Sequence, residues 1–166
     1  MSADPAATRA AIDALLRASN TMTLATSGSD GPWAAAVFFA SDEALGLYFV
    51  SDPRTRHGRH ITASGRAAAA VHADCADWAE IRGIQLEGAV TGLDGEARRA
   101  GLERYLAKFP RIRALCERPG DENEVRIAAR LRDATLYRLA PERIRLIDNG
   151  RGFGFKAELI PADGGD

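Results

Sequence analysis

The chain has 166 residues, with 22 basic and 23 acidic side chains for a formal charge of -1, and 46% hydrophobic against 27% charged residues. A chain of this length buries roughly 70% of its unfolded surface without needing a staple, and its near-neutral charge gives no general attraction for nucleic acid or membranes, leaving a small molecule or another protein as partner. No apolar run approaches the roughly 18 residues of a membrane span, and Cys75 and Cys116 lack metal-ligand spacing, so a cytoplasmic protein with free thiols is expected, a disulfide being the alternative.

Asp4 and Pro5 open an alanine-rich amphipathic helix with Ile12, Leu15 and Leu16 on its apolar face, suited to packing on a sheet. Residues 21–26 alternate polar and apolar, and the turn SGSDGP leads into a second strand over 33–40. Ser41, Asp42 and Glu43 turn the chain into a third strand at 47–50, which makes an antiparallel meander. After Ser51-Asp52-Pro53 a helix runs from about 54 to 64, with Gly65 as its stop. Residues 67–71 and 79–93 read as strands, the second long and curved, with Gly83 and Gly88 at bulges or bends. Helices follow at 96–108, 111–118 and 124–132, the first broken by Phe109-Pro110. Two last strands, 135–139 and 143–147, flank Pro141-Glu142.

Strands in runs with helices inserted between them argue against a doubly wound parallel sheet and for a mainly β antiparallel barrel with peripheral helices. There is no internal repeat or linker. One domain over 1–160 is expected, with 161–166 as a loose tail.

The chemistry concentrates in 47–66. An apolar strand ends in Ser51 and is followed by Arg54, Arg56, Arg59 and Arg66, with His57 and His60 between them and Asp52 as the only acid. Unpaired N–H groups at a helix start, joined by the Ser51 and Thr55 hydroxyls and Arg56, make an anion cradle suited to phosphate. The plainer reading is Asp52 as N-cap, Pro53 in the first turn and a solvated arginine face.

His57 and His60, even with His72, gather no cysteine or carboxylate cluster, so no metal site is expected. Neither a Ser/His/Asp triad nor G-x-S-x-G appears in local motifs, which disfavours hydrolysis. The glycines of 150–154 open no helix, so with Asn149 they shape a terminal turn from which Lys156 reaches a neighbouring charge. Trp33 and Trp78 serve as core or interface anchors or flank a ring, Trp78 being the better dimer contact. Arg82 and Arg151 are further candidates for contact with a second subunit.

The order of these motifs carries a resemblance. SDPRTRHGRHI after an apolar strand resembles the T-x-x-x-S-x-K-x-x-Q-I pattern of the pyridoxamine 5'-phosphate oxidase-like flavin-binding split barrels, with Ser51 at the threonine place, Thr55 at the serine place and His57 at the lysine place. EIRGIQLEGAV, residues 80–90, is similar to the next long strand of that superfamily, and YRLAPERIRLIDNGRGFGFK, residues 137–156, to the C-terminal signature of a small uncharacterised bacterial branch. The resemblance spans about residues 22–156. It implies a Greek-key split barrel and a homodimer with two flavin mononucleotide (FMN) sites at the subunit interface.

In that reading Ser51, Thr55, Arg56 and His57 hold the phosphate. The strand with Ala35 and Ala36 passes beneath the flavin ring, where small side chains permit close approach. Gln85 takes over from a glutamine expected at Gly83, and Asn149 and Lys156 complete the cofactor-binding set. Alanine stands where the oxidase has an arginine and a lysine on the strand at 35–40, and a tryptophan expected near Ile147 is absent. Oxidation of pyridoxamine phosphate itself is therefore not expected. The implied function is an FMN-dependent oxidoreductase acting on a small unknown substrate, with no catalytic acid or base assigned. The alternatives are a non-catalytic flavin or haem carrier or sensor, with His57, His60 or His72 as axial ligand, and a dimer that has lost its cofactor.

Overall fold

The computed structural model describes residues 4–161; most of the expected loose tail lies outside the described residues. The first helix, α1 (Pro5–Ala18), is capped by the Asp4 carboxylate, which accepts from Ala6 N–H at 3.0 Å. Its stripe of Ile12 and Leu16 is completely buried. A two-residue turn joins β1 (Thr21–Gly28) to β2 (Gly31–Phe38), with Gly28 paired to Gly31. The turn closes two residues earlier than the pattern suggests, because Gly31 adopts φ +94, a conformation favouring glycine.

After a short β3 (Ala40–Ser41) come β4 (Leu47–Ser51), α2 (Arg56–Ser64) and β5 (Arg66–His72). A 3-10 turn at Trp78–Glu80 delays β6 to Arg82–Leu93. Three helices, α3 (Gly95–Lys108), α4 (Pro110–Glu117) and α5 (Glu122–Asp133), separate it from β7 (Thr135–Asp148). The chain then adds β8 (Lys156–Leu159), which the sequence pattern does not announce.

All strand pairs are antiparallel, in the order β2-β1-β5-β6-β7-β4-β3, with β8 on the second half of β7. The sheet curls into a half-barrel, so the fold is a split barrel as expected. The two strands read around Pro141-Glu142 are one strand. A register shift opposite Glu87 and Gly88 absorbs the extra residue, and a bulge is where a proline fits a ladder. A β-carbon on Gly88 would collide with the Ala140 carbonyl oxygen, so this bend requires glycine.

Period-two alternation supplies the core: Met22 and Leu24 from β1, Leu47 and Phe49 from β4, Val71 from β5, Ile84 and Leu86 from β6, and Leu139, Ile144 and Leu146 from β7. Each such side chain contributes about 1.5–3 kcal/mol on burial. Phe49 stacks on Tyr137 with ring centroids 5.2 Å apart. Among the described residues no helix is long and apolar enough to cross a membrane. Cys75 is exposed and Cys116 half-buried, and both are free in the structure.

Candidate functional site

The corner between β4 and α2 is assembled from the segment that the sequence singles out. The helix begins later than its charge pattern suggests, because its N-cap is Thr55 and not Asp52. Thr55 Oγ1 accepts from Gly58 N–H at 3.1 Å and donates to the Asp52 carbonyl at 2.7 Å. The Thr55 hydroxyl is therefore occupied by the cap and is not the phosphate donor expected from the sequence. Asp52 instead grips Arg54 with several hydrogen bonds, which pull its carboxyl down to about 2. Gly58 is needed here, since a β-carbon would press on the Asp52 and Pro53 carbonyls.

Ser51 and His57 meet directly, Oγ to Nε2, at 2.6 Å. His57 is buried, and burial first and the neighbouring His60 second push its pKa below the usual histidine value. The imidazole thus favours its neutral form. Beyond the cap bond to Gly58, the backbone N–H groups of Arg56 and His57 have no partner among the described residues.

The adjoining β1–β2 turn reaches this corner through Asp30, which sequence reasoning missed. Its carboxylate accepts from His60 Nε2 at 2.5 Å and lies 3.0 Å from Arg56 Nε and 3.8 Å from Arg59 Nη2. A carboxylate only accepts, so His60 Nε2 carries a proton. His60 Nδ1 meets the buried Thr26 hydroxyl at 3.0 Å, a group able to donate or accept. The His60 hydrogen bond, ahead of the charge of Arg56, holds the Asp30 carboxyl below the ordinary carboxylate range. Gly28 leaves room for the His60 ring, with which a β-carbon would collide.

Arg56 lies over the half-exposed Trp33, 4.8 Å from the ring centroid, and donates through Nη2 to the Asp30 carbonyl. The contact between its Nε and Asp30 is an ion pair without hydrogen-bond alignment, so that buried N–H stays unsatisfied. Two free backbone N–H groups and a Ser–His pair fit an anion with several acceptor oxygens, with the Arg56 charge, held by Asp30, close by.

The remaining predicted residues lie elsewhere. Ala35 and Ala36 point to opposite faces of β2: Ala35 pairs with Leu24 inside the split, while Ala36 is exposed on the outer face opposite Thr23. Gln85 is also on the outer face, between Ala70 and Arg145. Asn149 shapes the terminal turn as expected, donating to the Trp78 carbonyl and accepting from Gly154 N–H. Lys156 opens β8 and makes no ion pair among the described residues. Ser51 pairs with Thr135 at the start of β7, whereas Asn149 follows its end. Nearly all of β7 separates them, a run of about 40 Å if straight.

His72 is exposed, with Nδ1 3.2 Å from the Ala73 carbonyl. No group of three potential metal ligands occurs among the described residues. Trp78 is exposed and meets Phe153 edge-on, Arg82 lies 3.5 Å from Asp148, and Arg151 covers Phe155.

A curled antiparallel sheet with a short helix packed on β1 and β2 defines a split barrel. The family model described as Pyridoxamine 5'-phosphate oxidase matches residues 8–148, and the chain belongs to that family. Among its relatives is a UPF0306 protein of Klebsiella pneumoniae, 29% identical over 150 residues and covering 90% of each chain. The fold is similar to that of a haem-binding protein from Mycobacterium smegmatis, with TM-score 0.68, 20% identity, and coverage of 92% of this chain and 58% of that one. It is also similar to HutZ, the haem storage protein of Vibrio cholerae, with TM-score 0.56, 18% identity, and coverage of 86% and 92%.

Proposed function

We propose that the protein is a homodimeric FMN-binding redox protein whose phosphate site is the β4–α2 corner. The observation that carries this is the donor set there: the Arg56 and His57 backbone N–H groups, which have no partner among the described residues, and the Ser51–His57 pair beside them. Bound flavin supplies hydride or electron transfer. The protein's part is to hold the phosphate, to let the ring approach the small side chains of β2, and to exclude water.

A second copy of the chain follows from the same reading. Gln85, Asn149 and Lys156 lie too far along the sheet to share a ligand with Ser51 of their own copy. The outer face offers a smooth platform, since Ala36, Thr23 and Ala70 lie in one register row and Ala34, Ala25 and Ala68 in the next. A partner seated on it would bring its own β6–β7 residues toward the corner.

A haem carrier is the second reading, favoured by His72, whose Nδ1 is fixed by a carbonyl while its other nitrogen is free to ligate. His57 and His60 are already engaged at the corner. Purified protein with flavin-like absorbance and the mass of a dimer in solution supports the first reading. A Soret band that disappears in His72→Ala supports the second, and colourless protein that binds neither added cofactor overturns both.

A further inference from the structure

We infer that the helical insertion α3–α5 holds a second ligand site, built for a small amphipathic carboxylate. The large aliphatic side chains of this insertion do not join the barrel core. Leu102, Leu106, Ile112 and Leu131 remain half-buried around a common cavity of about 280 Å3. In the barrel core, by contrast, Leu24, Leu47 and Leu139 are completely buried, and apolar surface left in contact with water favours a ligand that covers it. An apolar cavity of about 150 Å3 already holds benzene. This one suits a ligand of roughly twice that size.

Its polar groups select the ligand's charge. Tyr105 is 3% exposed, and its hydroxyl has no hydrogen-bond partner among the described residues. Burial pushes its pKa up to about 12, which keeps the hydroxyl protonated and able to donate. Arg98 and Arg132 also line the cavity, linked by an Arg98 Nη2–H that donates to the Arg132 carbonyl at 3.3 Å. Neither is in an ion pair among the described residues, and no acid lines the cavity. Two uncompensated guanidinium groups and one phenol donor above aliphatic walls match a carboxylate on a short apolar body. Val50 and Leu131 are shared with the open cleft beside Ser51, so the chamber adjoins the β4–α2 corner without using its donors.

The test is calorimetric titration of octanoate into the full-length chain without flavin. Saturable binding at one site per chain is expected, with octan-1-ol at least tenfold weaker. Arg98→Gln combined with Arg132→Gln should weaken octanoate about tenfold, and Leu106→Trp, which fills the chamber, should abolish binding. If that variant unfolds, Ile112→Phe replaces it with the same expectation. The proposal is overturned if octanoate gives no saturable heat, if octan-1-ol binds equally well, or if a folded cavity-filling variant binds as the wild type does. None of these readouts depends on whether flavin binds.

Discussion

Strand β4 runs between two polar clusters built from the same residue types and arranged to opposite effect. Near its start the buried Asp42 carboxylate accepts from Gly46 N–H at 2.7 Å, Tyr48 hydroxyl at 3.0 Å and Arg138 Nη2 at 3.0 Å. Both of its oxygens are engaged, and the Arg138 guanidinium is held between Asp42 and Tyr48. Past its end, Asp30 holds Arg56, Arg59 and His60 from a half-exposed turn, and donors remain unsatisfied around it. A saturated cluster locks β3, β4 and β7 together. An unsaturated one keeps hydrogen-bonding capacity for something else.

The sharpest way to break the comparison is Arg138→Met. It leaves a buried carboxylate without its counter-charge, a loss of about 3 kcal/mol that lowers the melting temperature by roughly 6–12 °C. Flavin affinity, measured on folded protein at low temperature, should not change. A variant as stable as the wild type would mean that Asp42 is satisfied without Arg138.

Gly28→Ala comes next. The added methyl meets the His60 ring, and relief by moving either element costs about 1–3 kcal/mol. Chemical denaturation reads this directly. An unchanged midpoint would show that the Asp30–His60–Thr26 chain does not pin the hairpin to α2.

A smaller effect, and one of opposite sign on binding, is expected of Asp30→Asn. Stability falls only slightly, because the carboxylate is exposed and its ion pairs are screened by solvent. Flavin affinity rises several-fold, because Arg56 is released from its counter-ion. Since folding lowers the Asp30 pKa, its contribution is present above the ordinary carboxylate value and is lost as pH falls through the folded value. Weaker flavin binding in this variant would remove Arg56 from the phosphate site.

The two clusters also differ in how much of them sequence reveals. Strands 21–26, 47–50 and 67–71 and the helix ending at Gly65 are legible because period-two alternation and an αL stop are local signals. The long β7 is misread as two strands because Pro141 beside an acid has turn chemistry, and only pairing with Gly88 makes it a bulge. Asp52-Pro53 imitates an N-cap, yet the Thr55 hydroxyl fits the cap geometry once the loop has folded back. Ser51 and His57 stand together in the family pattern and touch in the structure. Asp30 was invisible because it belongs to an ordinary turn, and nothing local records that the turn lies over α2. Ala35 and Ala36 are adjacent in sequence, yet strand alternation sends them to opposite faces, which a run of small residues does not reveal.

The last prediction concerns His57, where a lysine of the family pattern has become a titratable group. In the free corner its pKa is lowered, so near neutrality the imidazole is uncharged, and a phosphate placed against Ser51 and His57 must draw a proton onto the ring. Affinity for flavin phosphate should then fall as pH rises from below the lowered value to above the bound value, by at most about tenfold per pH unit. The phosphate's own ionisation, near pH 6, acts in the opposite direction. His57→Lys separates the two, since a lysine stays charged throughout and its curve reports the ligand alone. Fluorescence quenching from pH 6 to pH 9 should show wild type losing affinity relative to this variant, whereas parallel curves would exclude His57 as a phosphate ligand. Stability has the reverse trend: a histidine whose pKa is lowered by folding contributes fully above its unfolded value of 6.5 and loses that contribution as pH falls through the folded value. The corner is therefore expected to bind best where the empty protein is least stable, and added flavin should protect against thermal unfolding more strongly at pH 6 than at pH 8.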